Sequence, residues 1–338
     1  MKSIYIILTL AIVIMLSSCE KALFEAEPEN NPEALFEDFW TNFNNDYASF
    51  QLKGIDWQEV YYTYRPKVSP QTTDDELAEI LFQMIKILDD GHVSLIVPGK
   101  EIYYSDSIYR DMIGKELFDL ELVKSDYMTE DPIVFKYDDM HTYGWIGNIG
   151  YLHIKGLRDN ILEMNDILDY FETANGLIID LRGNLGGDFT YAMTEFARLT
   201  DEERLIFSSR TKTGKGVDDY TDWYDWYLLP DGKYFDKPIV LLTDRITISA
   251  GERATMVLKS LPNVTHLGDT TNGAAATKIG KELANGWAYS VICQQLKFND
   301  GVDYEDSGIP PDIYMKNTEE DINNGQDKTL EAALELLK

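Results

Sequence analysis

Cysteine is scarce: 338 residues contain two, Cys19 and Cys293, which excludes a fold stapled by a disulfide between structural cysteines. Cys293 lies in the strand-like stretch Trp287-Ala-Tyr-Ser-Val-Ile-Cys293, where a buried small hydrophobe is expected rather than a reactive thiol. Basic residues are also few. Thirty Lys and Arg face 59 Asp and Glu, a formal charge of −29, which argues against nucleic-acid binding and against docking on anionic lipid through a basic face. The acids are scattered rather than blocked, as on a solvated surface. After Leu16 no run is long and apolar enough to span a bilayer.

The one long apolar run comes first. Met1-Lys2 gives a short basic start, and Ile4 to Leu16 has the length of a signal-peptide h-region, short of the ~20 residues of a spanning helix. It ends in Leu16-Ser17-Ser18-Cys19, which resembles the lipobox of bacterial lipoproteins. That resemblance implies a signal peptide over 1–18, cleavage before Cys19, lipid on Cys19, and residence in the cell envelope on a bacterial membrane. Residues 19–34, rich in Glu with little apolar content, read as a lipidated tether.

Periodic structure begins at Leu35-Phe36-Phe39-Trp40-Phe43, at helical spacing. A second helix has a capping box at Thr73-Asp-Asp-Glu76 and an apolar face from Leu77 to Leu88, with Gly91 expected in the left-handed C-terminal position. Residues 35–95 are thus expected to form a small helical subdomain, followed by a mixed connecting region over 96–147 with a strand at 133–137. From Gly150 strands and helices alternate: strands at Tyr151–Ile154, Gly176–Asp180 and Pro238–Asp244, and helices at Ile161–Phe171, about 189–199 and about 249–261. The pattern predicts an α/β core with largely parallel strands over 148–325, closed by a C-terminal helix over 326–338.

Three segments carry candidate chemistry. Asp180-Leu-Arg-Gly-Asn-Leu-Gly-Gly187 follows a buried strand, and its glycines let backbone N–H groups converge. Thr247-Ile-Ser-Ala-Gly-Glu252 follows the next strand and puts Ser249 at a helix N-terminus, where the dipole favours an oxyanion. Ser249-x-x-Glu252 is equally a capping box, which needs no catalytic role. Leu88-Asp-Asp-Gly-His92 ends the second helix. The other histidines, His141, His153 and His266, lack such a setting, and His141 with Asp138 and Asp139 makes no convincing metal site.

In this order, together with Gly268-Asp-Thr-Thr-Asn-Gly273 and Glu305-Asp-Ser-Gly-Ile-Pro-Pro-Asp312, the segments resemble the tail-specific, or C-terminal-processing, serine peptidases. The resemblance runs over about residues 35 to 316 and implies a ClpP/crotonase-like spiral core, a polypeptide substrate, and no cofactor or metal. Serine–lysine members carry lysine where this chain has Ala274, and Lys278 lies four residues further on. The branch similar to the tricorn protease core pairs serine with histidine instead. The likeness then implies Ser249 as nucleophile, His92 as base, Glu305 behind the imidazole, and the backbone N–H groups of Ala250 and Gly186 as the oxyanion hole.

The span from His92 to Tyr151 is too short for the ~80–100-residue PDZ module of many relatives, which leaves selectivity to the groove. Tyr220, Trp223, Tyr224, Trp226 and Tyr227 either line it or pack in a surface hairpin. Two other readings stay open: a non-catalytic ligand- or peptide-binding lipoprotein on the same scaffold, and a serine–lysine peptidase working through Lys278.

Overall fold

The computed structural model describes residues 29–112, 115, 117–134, 140–158 and 163–338. The expected signal peptide, Cys19 and most of the tether lie outside the described residues, as do Asp138, Asp139, Ile161 and the second half of the strand expected over 133–137.

The first helix, Pro32–Asp46, starts where Asn31 Oδ1 accepts the Ala34 N–H at 3.0 Å and Pro32 occupies the first turn. It buries Leu35, Phe36, Phe39 and Phe43, the spacing read from the sequence. The helix Asp74–Lys86 carries both arms of its capping box, with the Thr73 N–H donating to Glu76 Oε2 at 2.8 Å. Its C-terminal end departs from expectation. Asp89, with φ 45°, takes the left-handed position, and Gly91 does not. Gly91 is small for another reason: a Cβ there would stand 2.4 Å from Asn272 Oδ1 and 2.8 Å from Ile248. The glycine therefore lets the helical part close on the core.

Among the described residues the strands form three sheets. The central one is mixed and runs in the order β14 (Ile313–Tyr314), β10 (Val264–Gly268), β9 (Ile239–Thr243), β6 (Leu177–Asp180), β5 (Ile149–Ile154), β4 (His141–Ile146), β3 (Ile133–Val134). From β14 to β5 the pairing is parallel, as the alternating pattern predicts; β4 and β3 add on antiparallel. Every residue of β5, β6 and β9 is buried, which is why each reads as a continuous apolar run. A second sheet joins β11 (Lys278–Glu282), β12 (Ala288–Ile292), β1 (Ser94–Ile96) and β2 (Tyr103–Tyr104). Pairing of β1 with β12 sets the end of the helical part against the core, with Leu95 opposite Tyr289. The third sheet is β13 (Gln294–Phe298), β7 (Arg204–Thr211) and β8 (Tyr224–Leu228).

One buried ion network locks the core to its C-terminal helix, Lys328–Leu336. Arg182 donates to Asp180 Oδ2 at 2.6 Å and to Asp327 Oδ1 at 2.8 Å, and the Tyr151 hydroxyl donates to Asp180 Oδ2 at 2.8 Å. No local sequence signal pairs Arg182 with a residue so far along the chain.

Candidate active site

Ser249 sits in the turn between β9 and the helix Ala250–Lys259, with φ 62° and ψ −122°. That backbone is costly for a residue with a Cβ, by about 1–3 kcal/mol, and persists only where the surroundings impose it. The surroundings here are explicit. The Ser249 N–H donates to the Ala274 carbonyl at 3.1 Å and lies 3.4 Å from Glu252 Oε2. The Ile248 N–H donates to the Asn184 carbonyl at 3.1 Å. Ser249 and Glu252 have the layout of a capping box, yet the Glu252 N–H donates to the Ser249 carbonyl at 3.0 Å and the hydroxyl forms no bond that caps the helix. An N-cap residue has extended backbone, which Ser249 does not.

Glu252 is instead a hub. It is fully buried, and it accepts from the Thr271 hydroxyl at 2.7 Å, the Gly273 N–H at 2.8 Å and the Ala274 N–H at 2.7 Å. Burial raises its carboxyl to about 6, against the lowering effect of those donors. It ties the 271–274 loop to the serine turn.

The glycine-rich turn after β6 closes on Ser249 from the other side. Gly186 has φ 82°, and a Cβ there would meet Ser249 Cβ at 2.6 Å. Its N–H donates to Asn184 Oδ1 at 2.8 Å, so it is not free to bind an oxyanion; this differs from the role the resemblance implied. Asn184 holds the turn by a second bond, from Nδ2 to the Ile154 carbonyl at 2.8 Å. Gly187 borders the cavity beside Ser249, and among the described residues its N–H and that of Ala250 have no intramolecular acceptor. Those two groups are open donors beside Ser249.

His92 is brought to the same cavity, about 480 Å³ in volume, whose wall includes Ser249, Gly187, Asn272 and Lys278. Its main chain is clamped: the N–H donates to Asp90 Oδ1 at 2.8 Å, and its carbonyl accepts from the Ser290 hydroxyl at 2.6 Å. Asp90 is in turn bonded by the Tyr47 hydroxyl at 2.8 Å, so the first helix reaches the site through one hydrogen bond. Burial, and then the charges of Lys278 and Arg253, push the imidazole down to about 3, opposed by the Ala276 carbonyl facing the ring. The ring is therefore neutral near pH 7, and a weak base for as long as burial and those charges stand. In this arrangement no hydrogen bond joins it to the Ser249 hydroxyl, and its Nδ1 is buried without a partner. Catalytic contacts of this kind are often long before substrate binds.

Glu305 does not hydrogen-bond the imidazole. Its Oε2 accepts from the Ala275 N–H at 2.9 Å and the Ala276 N–H at 3.0 Å, while Oε1 is buried and unpartnered. Burial, followed by the nearby acids Asp90, Glu252 and Asp303, raises this carboxyl well above the ordinary range. Among the described residues the aromatic set near 220–227 does not border the Ser249 cavity. Trp226 stacks on Phe207 with centroids 5.7 Å apart, and the Tyr220 hydroxyl donates to the Ala48 carbonyl at 2.8 Å, so these residues pack the hairpin. Tyr104 and Asp106 line the cavity without any motif that announces them, whereas Asn272 belongs to the Gly268–Gly273 segment and Lys278 follows it.

Residues 148–315 match the model of peptidase family S41, and residues 28–86 match the tricorn protease C1 domain. A crystal structure of a putative peptidase from Parabacteroides merdae superposes with a TM-score of 0.81 at 29% identity, covering 91% of this chain and 97% of that one. The nisin-resistance protein of Lactococcus lactis is 26% identical over 51% of this chain and 58% of its own length. The carboxy-terminal processing protease CtpA of Bacillus subtilis is 27% identical over 54% of this chain and 37% of its own. The chain thus spans about half the length, or less, of these two curated relatives. With its mixed α/β core, the chain belongs to peptidase family S41, among the tail-specific peptidases.

Proposed function

We propose that the protein is a serine peptidase that cleaves polypeptides through an acyl-enzyme, with Ser249 as nucleophile and His92 as base. The observation that carries this reading is the strained Ser249 backbone at a helix N-terminus, in one cavity with a neutral imidazole. The hydroxyl gives its proton to His92 as it attacks the peptide carbonyl, and the imidazolium returns that proton to the departing amine. Water then repeats the attack on the ester and releases the acid. The N–H groups of Ala250 and Gly187 receive the oxyanion, a contribution worth ~10²–10³ in rate for a single donor. Glu305 acts as a positioning residue through the Ala276 peptide rather than by direct contact with the ring.

Labelling by a fluorophosphonate probe tests the assignment. Wild-type protein should label at Ser249 above pH 7, and Ser249→Ala should neither label nor hydrolyse peptides. A folded wild-type sample that fails to label rules the reading out.

The same proposal places the protein in the cell envelope, lipidated on Cys19 after removal of 1–18, with 19–34 as tether, a helical part over 35–95 and a peptidase core over 148–325. The Leu16-Ser-Ser-Cys19 sequence supports it. Palmitate labelling of wild type but not of Cys19→Ala, with the variant released from membranes, is the expected result.

A further inference from the structure

Lys278 is the first residue of β11, an edge strand of its sheet, and its side chain borders the cavity that holds Ser249 and His92. It is exposed, and among the described residues no carboxylate lies within ion-pair distance of it. By contrast Lys281, in the same strand, pairs with Asp46. The nearest acid on the cavity wall is already committed. Asp106 Oδ1 accepts from the Ile108 N–H at 2.8 Å, and Oδ2 accepts from the Tyr109 N–H at 3.1 Å and Asn272 Nδ2 at 3.2 Å. The remaining wall includes the apolar Leu185, Ile246 and Ile248.

We propose that Lys278 sets substrate preference: its ammonium binds a side-chain carboxylate of the polypeptide lying across Ser249, so cleavage is favoured beside an acidic residue. The inference rests on the peptidase reading and names the substrate class for it. It also links recognition to chemistry. Unpaired, the Lys278 charge opposes proton uptake by His92; neutralised by a substrate carboxylate, it no longer does. Acidic substrates should therefore gain in kcat as well as in KM.

The test uses peptides matched around the cleaved bond, Asp against Asn, with wild type, Lys278→Met and Lys278→Glu. Wild type should favour the carboxylate at least tenfold in kcat/KM; Lys278→Met should bring the ratio near one, and Lys278→Glu should invert it. An equal ratio in wild type, or a ratio unchanged in Lys278→Met of unaltered Tm, overturns the proposal. Fluorophosphonate labelling runs alongside. Wild type that does not label removes the peptidase reading itself, whereas wild type that labels but shows no acid preference removes only the role of the lysine. Loss of labelling in Lys278→Met assigns the lysine to the activation of Ser249 and overturns carboxylate recognition.

Discussion

Glu305 is coupled to His92 through one residue, Ala276: the carboxyl accepts from the Ala276 N–H at 3.0 Å, and the Ala276 carbonyl faces the imidazole. Burial pushes the Glu305 carboxyl well above its ordinary range, and the amide of Glu305→Gln keeps its size and an acceptor for the Ala275 and Ala276 N–H groups. Glu305→Gln should change kcat/KM by less than about threefold, while Glu305→Ala, which frees the 275–276 peptide, should cost about a hundredfold through misplacement of the base. A loss near 10⁴ in Glu305→Gln would instead mean direct support of the imidazolium.

The backbone at Ser249 yields a stability prediction independent of activity. A φ of 62° costs a residue with a Cβ about 1–3 kcal/mol, and glycine is free of that cost but loses about 0.5–1 kcal/mol more chain entropy on folding. Ser249→Gly should thus raise unfolding free energy by about 1 kcal/mol while abolishing hydrolysis. Urea denaturation decides the matter, and a destabilised glycine variant would show that the turn is not strained.

The histidines should stay neutral well into the acid range. Burial lowers His92 and His266 to about 3 and His141 to about 4, so their rings should show no titration in NMR spectra between pH 7.5 and 5. The unfolded chain takes up protons near pH 6.5, so these groups favour folding above that value and lose their contribution as pH falls towards 3–4. Glu252 and Asp303, both raised to about 6, act in the opposite sense, favouring the folded state at low pH and losing their effect as pH rises through 6. Ring resonances therefore test the point more directly than a melting curve. A titration of His92 near 6.5 would refute it.

Arg182 should be the costliest core charge to remove. Asp180 and Asp327 are completely buried on either side of it, so Arg182→Met leaves two acids unpaired and should cost about 3–5 kcal/mol. Burial alone would raise Asp327, but Arg182 and Asn317 outweigh it and hold the carboxyl below its usual value. Its stabilising contribution is present above about pH 4 and fades as pH falls further. The variant should lose that contribution, so denaturation at pH 7 and pH 4 should separate it most from wild type at pH 7.

Much of the architecture was legible before any coordinates. Buried parallel strands announce themselves as apolar runs, and β6 and β9 were read within one residue at each end. The capping box at Thr73 and the apolar face behind it specify that helix locally. The left-handed residue after it was misplaced onto Gly91, because a glycine required for a close approach to Asn272 and Ile248 looks the same in a sequence as one required for a turn.

Residue types and local order thus determined the elements, and the recurring turns after strands marked Ser249 and the glycine-rich segment, since both are written in contiguous residues. Tertiary structure alone decided which N–H groups around Ser249 are free, that Asn184 occupies Gly186, and that Glu305 meets a peptide rather than a ring. It also decided that Lys278 stands unpaired beside the nucleophile. Those are distances between segments far apart in the chain, and they depend on how sheets and loops pack, which no local pattern encodes.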